Sequence, residues 1–194
     1  MNPLRPTFPR EVVLGDGSTG QIRHLVPTDR EALVAGLNSL SPESSIRRFF
    51  YRKTAFSESE LERLTHPDGV DHIALLLEVR LEGNSEPQLA AVARCFRDPE
   101  DPTRAEVAFV TGDVWQGLGV ATELVRALAE AAWRAGIRSW FGALFSDNRT
   151  TRNLLSRVGT LSDETEAGSG IVHVFCRLDP PDTVRPERSV ESLG

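Results

Sequence analysis

The stretch from Val107 to Ala135 constrains the fold of this chain more than any other segment. It begins with apolar residues typical of a strand, continues through a loop that contains Gly117 and Gly119, and ends in a long helical repeat of apolar residues. Glycine has no Cβ atom, so a ligand can approach the backbone of this loop closely. The first amides of the following helix lack an intrahelical partner and lie at the positive end of the helix dipole. The stretch therefore predicts a site for a phosphate or pyrophosphate at a strand-to-helix junction.

The two glycines have other interpretations. A glycine pair between a strand and a helix is often a plain tight turn, and that alternative stands beside the anion site. A dinucleotide fingerprint would need a third glycine where the chain has Thr122, and a strand at the start of the domain. A Walker loop is excluded because the sequence contains no G-K-[ST] motif. In every case the apolar stripe of the helix, which ends before Gly136, belongs to the core.

The length of 194 residues predicts a single domain. We expect this domain to span residues 10–178, between a flexible arm over residues 1–9 and a disordered tail over residues 179–194. Both ends are rich in proline and carry little apolar pattern, which favours disorder over a packed structure.

Charge and hydropathy disfavour two classes of partner. The formal net charge of −6 argues against nucleic acid, because such binding depends on clustered lysine and arginine. No apolar run has the length of a membrane span or a signal peptide, so we expect no membrane partner and a cytoplasmic location. The four histidines are scattered and show no metal-ligand spacing. Cys95 and Cys176 lie in apolar runs and are predicted to be reduced core thiols, with a nucleophilic role as the less favoured alternative.

The rest of the chain predicts alternating strands and helices. The predicted elements are a hairpin over residues 11–26, a helix over 30–40 capped by Thr28 or Asp29, helices capped by Ser41 and Ser57, strands over 71–81 and 88–96 joined at residues 83–85, strands over 104–111 and 138–145 around the long helix, a helix over 148–158, and strands over 160–165 and 170–178. The crossover through the long helix makes two strands parallel, so ligands are expected at their carboxyl ends. The basic residues around the second helix are interpreted as a solvated face, with substrate contact as the alternative: Arg47, Arg48, Arg52 and Lys53.

The glycine loop resembles that of a known enzyme family. Gln116, Gly119 and Ala121 match the pattern Gln-x-x-Gly-x-Ala of the pyrophosphate loop in the GNAT superfamily of N-acetyltransferases. Residues 104–110, RAEVAFV, look like the fourth strand of that family, and Asp147-Asn148-Arg149 looks like the exit of its fifth strand. The order of these segments makes the resemblance more specific than the loop alone.

A further segment narrows the resemblance to one subgroup. Residues 40–50, LSPESSIRRFF, are similar to the N-terminal helical region of the subgroup that contains bacterial protein lysine acetyltransferases and the acetyltransferase domains fused to acyl-CoA synthetases. Together the similar segments extend over residues 8–178, nearly the whole chain.

The resemblance implies an α/β fold in which helices flank a central, mostly antiparallel sheet of about seven strands with one splayed parallel pair. It implies an acetyl-CoA-dependent N-acetyltransferase that moves an acetyl group to a primary amine by direct attack, without a metal. The implied acceptor is a protein lysine. A small-molecule amine, and a sensor that binds acyl-CoA without turnover, are the alternatives. A homodimer is also implied. The resemblance does not identify the particular acceptor or the length of the acyl group.

Glu106 is the candidate general base, because it is the only acid in the apolar segment 105–110. We expect partial burial to raise the pKa of its carboxyl toward the working range. The alternative is an edge residue that faces solvent. The resemblance supports the catalytic role, since the family often uses a glutamate on this strand that acts through water.

The resemblance also implies which residues hold acetyl-CoA. The backbone after Glu106 would pair with the pantetheine arm and supply an oxyanion donor near Val110, and the glycine loop would hold the pyrophosphate. Asn148 would bond the arm, cap a helix, or do both. Arg149 and Arg152 either meet the 3′-phosphate or form a solvated helix face. The residues expected to bind acetyl-CoA are Phe109, Val110, Thr111, Gln116, Gly117, Leu118, Gly119, Val120, Ala121, Asn148 and Arg152.

One departure from the family pattern concerns the leaving thiolate. Many members place a tyrosine seven or eight residues after the asparagine as its general acid, and this chain has Leu155 and Ser156 there. Its only tyrosine is Tyr51, in a distant segment. Water or Ser156 would then protonate the thiolate, or the thiolate would leave unassisted. Protein-acetylating relatives in the subgroup often lack this tyrosine too.

Overall fold

A single eight-stranded sheet organises the chain in a computed structural model, which describes residues 8–81, 83, 86–166 and 170–181, with the backbone alone for residues 163–166. Most of the predicted N-terminal arm, most of the predicted tail and residues 84–85 of the predicted hairpin loop lie outside the described residues. The arm and tail therefore stay predictions.

The elements follow the predicted order closely. The strands are β1 (Arg10–Val13), β2 (Thr19–His24), β3 (His72–Val79), β4 (Gln88–Arg97), β5 (Arg104–Thr111), β6 (Ser139–Phe145), β7 (Gly159–Glu166) and β8 (Ile171–Leu178). The helices are α1 (Arg30–Ser39), α2 (Pro42–Phe49), α3 (Glu58–Thr65), α4 (Val120–Arg134) and α5 (Arg149–Leu155), with short 3-10 turns at Pro27–Asp29 and Asp113–Trp115.

The sheet has the order β1-β2-β3-β4-β5-β6-β8-β7, and every neighbouring pair is antiparallel except β5 and β6. This confirms the predicted mostly antiparallel sheet with one parallel pair. The sheet has eight strands where about seven were expected. Because α4 crosses from the end of β5 to the start of β6, these two strands point the same way.

Helices cover both faces of the sheet. Helix α4 packs on β3, β4 and β5, and its predicted apolar stripe is buried from Val120 to Ala132. On the opposite face, Leu25 and Leu33 form a second apolar cluster with residues of β3 and β4. The two faces therefore have separate cores, and the groove described below opens on the face that carries α1, α2 and α3.

The pairing of β5 with β6 is short. Three residue pairs are in register, from Arg104 with Ser139 to Glu106 with Phe141, although both strands continue beyond them. Gly142 lies where the strands separate, and a Cβ atom there would be 3.3 Å from the carbonyl oxygen of Val107. The strands thus form a fork that opens toward their carboxyl ends.

The predicted caps of α2 and α3 are confirmed. The Ser41 hydroxyl accepts a hydrogen bond from the Ser44 N–H, and the Ser57 hydroxyl accepts one from the Glu60 N–H. Of the predicted Thr28 and Asp29, Asp29 is the N-cap residue of α1, but its side chain makes no capping hydrogen bond. Its buried carboxylate accepts from the Val26 N–H and the Arg23 guanidinium instead. Helix α5 is shorter than predicted and ends at Leu155.

We expect Gly159→Ala to destabilise the fold. A Cβ atom at Gly159 would lie 2.2 Å from the carbonyl oxygen of Arg177 and 2.9 Å from Sγ of Cys176, so the β7–β8 pair would have to shift. The free energy of unfolding should fall by about 1–3 kcal/mol, as measured by urea denaturation. Gly36→Ala in α1 is the matched control. Its Cβ atom would meet only a Leu89 methyl, at 3.3 Å, so equal losses in both variants would contradict the steric explanation.

Candidate functional site

A cleft of about 1420 Å³ follows the fork between β5 and β6. Its walls come from β5, the loop after β5, the first turn of α4, the segment from the end of β6 into α5, and the helices α2 and α3. The residues predicted from sequence that line it are Glu106, Phe109, Val110, Thr111, Gln116, Gly117, Leu118, Gly119, Val120, Ala121 and Asn148. The fold therefore brings all but one of the predicted site residues to a single cleft. The exception is Arg152.

The glycine loop offers a continuous set of hydrogen-bond donors at one end of this cleft. Gly117 and Gly119 have φ of +78° and +83°, which L side chains rarely adopt. Among the described residues, the N–H groups from Gly117 to Thr122 have no backbone acceptor, and the first α4 amide that has one is that of Glu123. Six consecutive donors at a helix N-terminus form an anion cradle.

The cradle is anchored from both sides. The Leu118 carbonyl accepts a hydrogen bond from the Gly15 N–H, and Trp115 is buried beneath the loop. A polar network on the other side was missed by the sequence analysis, in which Asp113 had no role. Its carboxylate accepts hydrogen bonds from the Ser41 N–H and from the hydroxyls of Ser41 and Ser44. This network fastens the start of α2 to the loop.

Gln116 joins the same network through its side chain. Its Nε2 donates to the Ser44 hydroxyl at 3.2 Å and to Asp113 at 3.3 Å. The only sequence signal for the network was the helix cap at Ser41. Gln116 therefore contributes to the position of the loop as well as to the lining of the cleft.

The open fork leaves backbone groups of β5 without a partner strand. The Gly112 N–H donates to the Ala90 carbonyl of β4, and the β4–β5 register is continuous from Thr111 to Ala105. Because hydrogen bonds alternate along an antiparallel strand, the N–H of Val110 also faces β4, and those of Phe109 and Thr111 face the fork. The N–H groups that face the fork are thus those of Phe109 and Thr111, which flank Val110.

Glu106 lies at the base of the fork on the face that carries α2. Its neighbours across the sheet are Phe96 on β4 and Phe141 on β6. The side chain is exposed, so the partial burial expected for it is wrong. The physical reason is the fork itself. The strands diverge immediately after Glu106, and the cleft exposes the carboxylate.

Three arginines surround the same end of the cleft: Arg48 on α2, Arg63 on α3 and Arg94 on β4. Arg94 is only 6% exposed, and one of its nitrogens donates to the Leu64 carbonyl at 2.9 Å. Burial, together with the charges of Arg48 and Arg63, lowers the pKa of Arg94 to about 9. Burial also lowers the pKa of the half-buried Arg48, and the charge of Glu106 opposes that change.

The four basic residues around α2 divide into two pairs. Arg47 and Arg52 are exposed, as predicted for a solvated face, whereas Arg48 and Lys53 are not. Arg48 faces the cleft, and Lys53 is only 8% exposed. Nζ of Lys53 donates to Glu60 at 2.8 Å and to the Tyr51 hydroxyl at 3.2 Å, and it lies within 6 Å of the Phe49 and Phe56 rings. No pattern in the sequence indicated these contacts, which form only when the segment after α2 folds against α3.

The far wall of the cleft begins at Asn148. Its side-chain oxygen accepts a hydrogen bond from the Thr151 N–H at 3.1 Å, which confirms the predicted cap of α5. The side chain also lines the cleft, so both predicted roles fit its position. Arg149 and Arg157 line the cleft too, whereas Arg152 is not among the lining residues.

The positions where many family members have a tyrosine do not supply an acid to the cleft. Leu155 is buried, and the Ser156 hydroxyl donates to the Arg152 carbonyl at 2.9 Å outside the cleft lining. Tyr51 is also outside that lining. Both cysteines are buried free thiols, as predicted, and burial raises the pKa of each to about 12. Neither is suited to act as a nucleophile.

Metal-binding clusters and membrane-spanning helices are both absent from the described residues. They contain no group of three or more histidine, cysteine or acidic side chains arranged to hold a metal ion. No helix in the same part of the chain has the length and apolar character that a membrane crossing needs.

Comparison with known proteins places this geometry in a family. The model of the acetyltransferase (GNAT) family matches residues 40–160. Acetyltransferase Pat of Mycolicibacterium smegmatis is 31% identical over 177 residues, which are 91% of this chain and 51% of the relative. The chain thus spans about half the length of that relative. Acetyltransferase PA5475 of Pseudomonas aeruginosa is 28% identical over 82% of this chain and 85% of its own length.

A solved structure agrees with both sequence relatives. The GNAT domain of S. lividans PAT has a TM-score of 0.74 and 29% identity, and the match covers 87% of this chain and 96% of that domain. These names agree with the subgroup that residues 40–50 resemble.

We expect Asp113→Asn to reduce stability in a pH-dependent way. Hydrogen bonds, first that from the Ser44 hydroxyl, lower the pKa of Asp113 below its ordinary value of 3.8. The native state thus favours the carboxylate, and the resulting stability is complete above the unfolded-state pKa and is lost as pH falls through the native one. The difference in free energy of unfolding between wild type and variant should be constant from about pH 7 to pH 5 and should shrink below about pH 4. Urea denaturation across this range measures it, and a difference that does not change down to pH 3 would contradict a role for the charge.

Proposed function

Because the chain belongs to the GNAT family of acetyltransferases, we propose that it transfers an acetyl group from acetyl-CoA to a primary amine by direct attack, with Glu106 as general base. One observation carries the proposal. An open fork in the sheet leads from an accessible carboxylate at its base to a cradle of six backbone donors at its mouth. A thioester linked to a pyrophosphate by an extended arm needs these three features in this order.

The donor half of the site fits acetyl-CoA. The N–H groups from Gly117 to Thr122 would bind the pyrophosphate, where the helix dipole adds to the hydrogen bonds. The groups of Phe109 and Thr111 that face the fork would pair with the pantetheine arm as a partner strand would. Asn148 would hold the arm from the α5 side. No covalent bond to the protein is needed in this arrangement.

The chemistry then requires one proton acceptor and one oxyanion donor. Glu106, directly or through a water molecule, takes a proton from the acceptor ammonium, and the free amine nitrogen forms a bond to the thioester carbonyl carbon. A backbone N–H of the fork, at Phe109 or Thr111, stabilises the oxyanion. The attacking nitrogen then gives its second proton to water, the carbon–sulfur bond breaks as the carbonyl re-forms, and the thiolate takes a proton from water. The buried thiols of Cys95 and Cys176 argue against an acetyl-enzyme intermediate.

The acceptor class proposed here is a protein lysine. Its support is the resemblance of residues 40–50 to the protein lysine acetyltransferase subgroup, together with a carboxylate that is exposed in an open cleft. The side chain of Lys53, the only lysine of this chain, is buried and bonded to Glu60, so self-acetylation of its side chain is not the expected reaction.

A sensor that binds acyl-CoA without turnover is the second candidate. The observation that favours it is the lack of a side-chain acid at Leu155 and Ser156, where the leaving thiolate could otherwise take a proton. The retained carboxylate of Glu106 at the base of the fork favours the enzyme.

Calorimetric titration with acetyl-CoA tests the donor site. Gly119→Glu should abolish binding, because it places a side chain and a negative charge in the cradle. Gly69→Glu is the matched control, since Gly69 has a similar φ of +76° and lies outside the cleft lining. We expect the control to bind acetyl-CoA as wild type does. Failure of wild-type protein to bind would contradict the proposal as a whole.

Release of free thiol from acetyl-CoA in the presence of lysine peptides tests the chemistry. We expect Glu106→Gln to lower kcat by about 10²–10⁴-fold and to change the pH profile, while acetyl-CoA still binds. If Glu106→Gln kept full activity across the pH range, Glu106 would not be the general base. Tight binding by wild type with no thiol release on any amine would favour the sensor.

A further inference from the structure

Three arginines lie at the Glu106 end of the cleft, which is the acceptor end in the proposed reaction, and fewer acidic side chains of the described residues lie beside them. Arg48, Arg63 and Arg94 come from three different elements and all line the cleft. Arg94 lies in register with Ala108, two residues along β5 from Glu106. Its side chain is therefore on the same face of the sheet as Glu106 and the two helices that carry the other arginines.

Arg94 is the most constrained member of this cluster. It is 6% exposed, and its one hydrogen bond to a described residue is the donation to the Leu64 carbonyl. No acidic side chain of the described ranges lies within ion-pair distance of it, and the charges that act on it are those of Arg48 and Arg63. A buried charge without a counter-ion is costly, since neither water nor a carboxylate compensates for the lost hydration.

The side chains around Arg94 do not balance its positive charge. Arg63 lies over the Phe96 ring at 4.8 Å, and His72 stacks on the same ring at 4.1 Å. Burial, together with the charge of Arg94, lowers the pKa of His72 to about 4, so this histidine is neutral near pH 7 and neither adds to nor offsets the positive charge. Glu106 is the acid whose charge acts on Arg48. One carboxylate therefore faces three guanidinium groups.

The cluster is not placed to bind the phosphates of acetyl-CoA. Arg94 pairs with Ala108, whereas the cradle begins at Gly117, beyond the carboxyl end of β5. Strand β5 alone covers about 10 Å between Ala108 and Thr111 at the usual rise per residue. The arginine cluster and the cradle thus lie at opposite ends of the cleft. In the proposed reaction the cradle holds acetyl-CoA, and the arginines face the acceptor amine.

We infer that the acceptor carries a carboxylate close to its reactive amine, and that Arg48, Arg63 and Arg94 bind this carboxylate while Glu106 receives the amine. The inference rests on the proposed function and names its substrate class. The Cβ atoms of diagonal neighbours on adjacent strands, such as Arg94 and Glu106, are about 7–8 Å apart. Two adjoining side chains of a peptide, or the two ends of a small amino acid, can bridge that spacing.

Two sources can supply this carboxylate. One is an aspartate or glutamate beside the acceptor lysine in a protein, and the other is the α-carboxylate of a free amino acid. Guanidinium groups bind either in the same way, through paired charge-assisted hydrogen bonds. Matched acceptors separate the sources: peptides that differ only in aspartate or asparagine next to one lysine, and amino acids compared with their amides.

Binding of these acceptors to the CoA-loaded protein, measured by calorimetry, is the primary test because it does not depend on turnover. We expect the aspartate peptide, or the free amino acid, to bind at least about tenfold more tightly than its uncharged partner. Arg63→Gln, an exposed position, and Arg94→Gln should each reduce this preference. Arg80→Gln, an exposed arginine outside the cleft, is the matched control and should retain it.

Charge reversal gives a second readout for the case in which Arg94→Gln fails to fold. Arg63→Glu should shift the preference toward a peptide with lysine or arginine beside the acceptor. Equal binding of charged and uncharged partners by wild type, or binding of neither, would overturn the inference. Thiol release measured on the same peptides separates the two failures. Thiol release without charge preference would support acetyl transfer and contradict recognition of an acceptor carboxylate. Charge-selective binding without thiol release would support carboxylate recognition and contradict acetyl transfer.

Discussion

The end of hydrogen bonding between β5 and β6 is the constraint on which the rest of this structure depends. The two strands pair for three residues and then diverge, although both continue. Backbone groups inside a fold need hydrogen-bond partners, so a fork with walls of unpaired strand is stable only where water or a ligand can enter. The same divergence exposes Glu106 and directs β5 toward the glycine loop. The cleft, the exposure of Glu106 and the fork-facing N–H groups of Phe109 and Thr111 thus follow from a single interruption in the sheet.

Helix α2 links the two halves of the cleft. Its first turn is tied to the cradle through Asp113, Ser41 and Ser44, and its later turns bring Arg48 to the acceptor end. Contacts with the far side of the fork are weaker. The ion pair of Arg47 with Asp147, at 3.4 Å, is largely exposed and adds little stability. The polar network around Asp113 thus holds the start of this helix, and a contact between the Phe50 and Phe145 rings, with centroids 5.4 Å apart, lies at its end.

Charge at the acceptor end is arranged differently from what the strand pattern predicted. The expectation was a glutamate whose carboxyl is tuned by burial, yet the buried charge is that of Arg94 and the glutamate is exposed. An open carboxylate can exchange protons with water, as a general base that acts through water requires. The buried guanidinium is suited to recognition, since its charge is held in a fixed position. The division of roles between these two residues is the basis for assigning the acceptor class.

The element order, the parallel crossover and the glycine loop at the start of α4 could all be predicted from the sequence. Local signals sufficed for these, because glycines at Gly117 and Gly119, caps at Ser41 and Ser57, and the apolar period of α4 act within a few residues. Only the tertiary structure decided what depends on distant partners. The exposure of Glu106 depends on where β5 leaves β6, and the burial of Arg94 depends on α2 and α3. The alternation of hydrogen bonds with β4 decides that the N–H groups of Phe109 and Thr111, and not that of Val110, face the fork. Periodicity along one segment carries no information about the segment that will cover it.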